Sequence, residues 1–278
     1  MCIRDRMSSA PTTSSDAVTV GRGALFIALA KVVFLVTGAT TSFALAALLP
    51  PEAYGDYGLA IRVVSLVNMV VVQGLLQGMS RAVSHAPTSS GPLLRQGRRA
   101  APVIGGAAGL ILLVASPLIA QLMADEKLTP LIMVSSAIPL SYAFYACMVG
   151  VVNGLQRFKV QALLDMGFST GKMVLILAGA TLGMGAIGSV AGFALAALVM
   201  AVVTATQLRR LDEHPPATPL TLGGLLSFSG WVMGYQALLS LLMFVDLGLV
   251  RRAAGLGQLS DDTPGFYAAA INMAQVPY

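Results

Sequence analysis

Seven apolar blocks, each long enough to cross a lipid bilayer, leave this chain few ways to fold. They run over residues 24–48, 57–79, 101–124, 130–152, 160–182, 185–208 and 223–250, and an eighth begins at Phe266. A span needs about 20 predominantly apolar residues to cross a hydrocarbon core roughly 30 Å thick. In lipid every backbone polar group must be satisfied within the segment, which favours helices. The alternation expected of barrel strands is absent. Of the 278 residues 56% are hydrophobic and 10% charged, whereas soluble domains carry about 25% charged residues. The fold class expected is therefore all-α, a polytopic membrane protein.

The net charge of +5 does not point to nucleic acid, because the basic residues sit in short connections between blocks. There they orient the helices. Arg22 precedes the first block, and Arg81, Arg95, Arg98 and Arg99 fall between the second and third. Arg157 with Lys159, then Arg209 with Arg210, follow on the same side. The opposite connections hold Glu52, Asp56, Asp125, Glu126 and a single Lys127. The positive-inside rule thus predicts a cytoplasmic N-terminus, with Arg251 and Arg252 on the wrong side of this scheme. Cys2 and Cys147 make neither a disulfide framework nor a zinc site, and no cofactor or metal is expected.

Residues 1–21 read as a polar tail, in which MCIRDR (1–6) is foreign to the pattern that Met7 begins, and no signal peptide is expected. Residues 22–210 form a first lobe of six helices, 211–222 a cytoplasmic linker, and 223–278 the first two helices of a second lobe. Gly105/Gly109 and Gly188/Gly192 place small residues four apart on the third and sixth spans, which lets helix backbones approach closely. Pro117 and Pro139 lie inside spans, where neighbouring helices satisfy the freed carbonyls.

Gly55, Tyr57, Ala60 and Ile61 in YGDYGLAIRV match Gly265, Tyr267, Ala270 and Ile271 in PGFYAAAINM. Each stretch opens a span after an external loop. The eighth span then repeats the second, and the chain is expected to be a fragment whose second copy has barely started. Repeats of this kind mark many transporters, with the substrate site where they meet.

The runs LLPPEAYGDYGLA, GLQRF (154–158) and FVDLGLVRRAAG before GFYAAA resemble the polysaccharide transporter branch of the multidrug/oligosaccharidyl-lipid/polysaccharide (MOP) exporter superfamily. The resemblance covers nearly all of the chain after Gly21. It implies a two-lobed fold of twelve to fourteen helices that flips undecaprenyl-linked sugars across the bacterial cytoplasmic membrane by alternating access. It also implies glycosyltransferases and a glycan polymerase as functional partners.

An ionisable group inside a span costs at least ~2.5 kcal/mol on insertion scales, so Lys31, Arg62, Asp165, Lys172 and Asp246 each need a reason. At about 100° per residue, Arg62, Ser65, Gln73, Gln77 and Ser80 share a face of the second span. Lys31, Gly38 and Ser42 share one on the first, Gln161, Asp165, Ser169 and Lys172 on the fifth, and Ser229, Gln236 and Ser240 on the seventh. These four stripes predict a hydrated cavity. For a lipid-diphosphate headgroup, Lys31, Arg62 and Lys172 are expected to attract the phosphates, and Gln73, Gln77 and Gln236 to meet the sugars. The bland alternatives are snorkelling for Lys31 and Arg62 and helix-packing glue for the glutamines. Asp165, and Asp246 with Arg251 five residues on, read as structural pairs or as carriers of Na⁺ or H⁺.

Two other functions compete. A drug or cation exporter of the same superfamily would favour acidic groups in the cavity, where cations here outnumber acids. A membrane-embedded glycan polymerase or ligase would want carboxylates or histidines at an exposed loop. The external loops are short, and His85 and His214 lie in arginine-bearing cytoplasmic connections, so no catalytic residue is expected. No GxxxxGK[ST] run is present, so this chain does not bind ATP by that motif.

Overall fold

The structure is a computed structural model, described here for residues 14–87, 90–123, 126–209 and 227–242. Among these residues every regular element is helical. The helices are α1 (Ser14–Leu48), α2 (Pro51–His85), α3 (Ser90–Leu122), α4 (Leu128–Ser135), α5 (Ala137–Gly154), α6 (Phe158–Gly179), α7 (Gly185–Arg209) and α8 (227–242). Several outrun the predicted spans. α1 begins inside the segment expected to be a polar tail, and α3 begins within the arginine-bearing connection, so Arg95, Arg98 and Arg99 lie on its first turns. Hydropathy sees only the part of a helix that lies in hydrocarbon, and these helices run on into the polar zone.

The fourth span is α4 and α5 end to end, Leu128–Gly154, interrupted only around Ser136. Residues Phe158–Val203 form an unbroken apolar helical run of 46 residues. At 1.5 Å per residue it would be about 69 Å long, twice the hydrocarbon thickness. It folds back on itself instead. A five-residue π-type turn, Ala180–Met184, ends in Gly183 (φ 78°) and Gly185 (φ 59°), left-handed conformations that a side chain disfavours. α6 and α7 then descend side by side, and residues 14–209 make six crossings.

α5 is the axis of the bundle, packed against α2, α3 and α7, while α7 also packs on α6. α1 rests on α6 and barely touches α2. Leu45, Val64, Leu128, Ile132 and Ile138 fill one half of the interior, and Leu75, Met79, Leu93, Leu94 and Val151 the other. The outer faces stay apolar. Leu110, Ile111 and Val114 on α3 and Leu198, Val199 and Val202 on α7 are exposed. A contiguous apolar surface of this extent is stable facing lipid and not facing water.

Glycine sets the closest approaches. A Cβ on Gly105 would lie 2.6 Å from the Ala143 Cβ and 2.8 Å from the Pro139 carbonyl oxygen, whereas one on Gly106 meets only Leu140 Cδ1 at 4.0 Å. Gly105→Leu is therefore expected to destabilise the bundle by about 1–3 kcal/mol through overpacking. Gly106→Leu should stay within about 0.5 kcal/mol. Thermal unfolding of the two variants in detergent checks the contrast.

Candidate functional site

Side chains of the first, fourth, fifth and sixth spans bring a group of aromatic rings together with three charged residues. Asp165, half-buried on α6, accepts a hydrogen bond from the Tyr145 hydroxyl of α5. Lys31, exposed on α1, acts electrostatically on the same carboxylate. Two helical turns further along α6, about 10.5 Å by axial rise, stands Lys172. That spacing does not favour a direct Asp165–Lys172 pair. The Lys172 Nζ lies instead between two ring faces, 5.1 Å from the centroid of Phe34 on α1 and 5.2 Å from that of Phe193 on α7. Both fall within the roughly 6 Å reach of a cation–π interaction, worth about 2 kcal/mol when desolvated.

A run of edge-to-face rings links the two charged ends. Tyr142 of α5 packs at 72° on Phe168 of α6, with centroids 5.0 Å apart, and at 85° on Phe193, 6.0 Å apart. Tyr145 lies 5.2 Å from Phe168. Tyr57 at the start of α2 and Tyr142 both pack against the same apolar core. Such contacts hold ring orientation, and each tyrosine hydroxyl adds a polar group to an otherwise apolar wall.

Sequence periodicity named Lys31, Asp165 and Lys172, and the structure places them on the packed pair α1 and α6, with Asp165 and Lys172 half-buried and Lys31 exposed. It does not bring the others there. Arg62 is half-buried on α2, the helix that α1 scarcely touches. Gln77 Nε2 donates to Gln73 Oε1 at 3.3 Å, one turn away on α2. Gln236 is buried on α8, one turn beyond Met233, which packs over Gly74 of α2. The glutamines thus lie on α2 and α8 and not among the residues around Lys172. Asp246 and Arg251 lie outside the described residues.

Tyr142, Tyr145, Phe34 and Phe193 escaped the sequence reading, which found no polar stripe on the fourth span. The signal for the tyrosines was present as SYAFYA, where phenols at Tyr142 and Tyr145 share a helix face. Among the described residues no cluster of three or more His, Cys, Asp or Glu is disposed to hold a metal ion.

A bundle of this shape, with a cationic and tyrosine-lined interior, has the fold of the MOP superfamily transporters. A MOP superfamily transporter from Pyrococcus furiosus, described as having a binding pocket of reversed polarity that suggests a different function, superposes with a TM-score of 0.70 at 15% identity. The match covers 91% of this chain and 60% of that one. An outward-facing multidrug resistance transporter of the MATE family gives 0.72 at 18% identity, over 93% of this chain and 60% of that one. A MATE transporter in complex with MaD3S gives 0.72 at 16%, over 91% and 61%. No curated protein matches the sequence. Residues 20–278 match the family described as polysaccharide biosynthesis protein, and the chain belongs to that family. It is a multi-pass membrane protein, and it spans about 60% of the length of these solved transporters.

Proposed function

We propose that the chain is the N-terminal part of a flippase that moves lipid-linked oligosaccharide or polysaccharide precursors, carried on undecaprenyl diphosphate, across the bacterial cytoplasmic membrane. It works by alternating access, with its N-terminus in the cytoplasm and no catalytic residue of its own. The observation that carries this reading is Lys172, a cation in mid-span held by ring faces and two turns from Asp165. Ring faces lower the cost of keeping an ammonium in the membrane without neutralising it. The charge stays available to an anionic headgroup, to which a charge-assisted hydrogen bond contributes about 1.5–3 kcal/mol. Membership in the polysaccharide biosynthesis family supports the same substrate class.

The second reading is a multidrug or cation antiporter, and Asp165 favours it: a carboxylate held by Tyr145 is a ready binding group for Na⁺ or H⁺. The resemblance of fold to MATE transporters is compatible with either. Full-length protein in vesicles, offered a short-chain polyprenyl diphosphate sugar or a cationic dye, decides between them. The proposal expects the glycolipid headgroup to become accessible on the far leaflet at least tenfold faster than in empty vesicles, with the dye unmoved. Dye efflux without glycolipid movement would overturn it.

A further inference from the structure

The exposed face of α3 changes character along its length. Val103, Leu110, Val114, Leu118 and Leu122 are each more than half exposed. From Val103 to Leu122 the helix axis runs about 30 Å, the full depth of the hydrocarbon. α3 begins at Ser90, so its first turns lie outside the hydrocarbon, at the level of the lipid headgroups. There Arg95 and Arg99 are exposed. At about 100° per residue, Arg95, Arg99, Val103, Leu110 and Val114 fall within about 100° of one another. The two arginines therefore continue the lipid-facing stripe, and Arg99 stands about 6 Å beyond Val103 along the axis.

The other side of these turns is fixed. Leu93, Leu94 and Ala101 are buried with Met79, Val83 and Val151. A Cβ on Gly97 would lie 3.0 Å from Met79 Cε, and the Cys147 thiol donates to the Gly97 carbonyl at 3.5 Å. α3 cannot roll its arginines off the stripe without breaking this core. Arginines that only orient a chain need no particular helix face, because the orienting effect depends on their number and their side of the membrane. These two are held on the face that lipid touches, directly beyond the apolar band.

We propose that Arg95 and Arg99 form a binding site for the phosphate of an anionic phospholipid, whose acyl chains lie along Val103, Leu110 and Val114. The guanidinium fork matches phosphate oxygens in geometry and charge. A headgroup with net negative charge fits best, because a zwitterionic one brings an ammonium that two arginines repel. None of these residues belongs to the group around Lys172, so the inference stands apart from the transport reading.

Full-length protein purified in neutral detergent is titrated with phosphatidylglycerol, phosphatidylcholine or inorganic phosphate. Binding is read by native mass spectrometry and by the thermal midpoint. Phosphatidylglycerol is expected to bind at least about tenfold more tightly than phosphatidylcholine, and inorganic phosphate to leave it in place. Arg95→Gln with Arg99→Gln should lower the phosphatidylglycerol affinity at least about tenfold. Arg157→Gln with Lys159→Gln removes the same charge from the connection between α5 and α6 and should leave that affinity nearly unchanged. No preference for the anionic lipid, or an equal loss in both double variants, would overturn the site and leave the arginines as orienting charges. Displacement of the lipid by inorganic phosphate would overturn the choice of a phospholipid. The comparison of the two lipids on the wild-type protein decides the matter if the glutamine pair fails to fold.

Discussion

Lys172→Gln in the full-length protein is expected to lower export of lipid-linked glycan at least tenfold at unchanged membrane levels. Tenfold corresponds to about 1.4 kcal/mol, the lower end of what a lost charge-assisted hydrogen bond removes. Glutamine keeps a polar end on a side chain one bond shorter but not the charge that Phe34 and Phe193 stabilise. Lys172→Arg should retain a substantial part of the activity, because a guanidinium stacks on aromatic faces and always stays charged. Phe193→Leu should fall between the two, since it removes one ring and keeps the ammonium. Full export by Lys172→Gln at normal protein levels would reduce the lysine to a packing element and remove the main support for an anionic substrate.

Asp165→Leu should be the most damaging change to folded yield, because it strips the part-buried Tyr145 hydroxyl of its acceptor. Leaving a buried hydroxyl unsatisfied costs about 1–3 kcal/mol. Asp165→Asn keeps an acceptor for Tyr145 and should be milder. Replacing Lys31 as well, as Lys31→Met with Asp165→Leu, should recover part of the loss, with a coupling of about 0.5–3 kcal/mol in a double-mutant cycle on thermal unfolding. That outcome assigns the carboxylate a structural part. The opposite pattern is equally readable: normal folding of Asp165→Asn, loss of export, and no recovery in the double variant would make Asp165 a carrier of Na⁺ or H⁺.

Lipid made the crossings legible. A medium that cannot hydrogen-bond forces long apolar blocks and pushes charge into the connections, so the spans are written in hydropathy, while the α6–α7 break, where the apolar run does not lapse, is marked by the glycines of TLGMG. The same cost singles out Lys31, Asp165 and Lys172 as residues that need a reason. Their surroundings were not legible. Phe34 and Phe193 sit in blocks where any phenylalanine reads as a lipid-facing residue, and only packing of α1 on α6 turns Phe34 toward Lys172. Periodicity likewise assigns a stripe to each helix without saying which stripes meet. The glutamines of α2 and the lysine of α1 look equivalent on helical wheels, yet they lie on helices that scarcely touch.

The glycine contacts between α6 and α7 bear on how the surroundings of Lys172 can respond. A Cβ on Gly192 would run into the Leu175 backbone, and one on Gly179 into that of Gly188, so main chain meets main chain along this joint. Lys172 and Phe193 therefore ride on a single stiff plank. Phe34 belongs to α1, which is held by side chains such as Phe26 beneath Lys159 and Phe158 against Gly23. The ammonium is thus clamped between one ring on the α6–α7 joint and one on α1, and a tilt of α1 relative to α6 would change how far the Phe34 ring covers the charge.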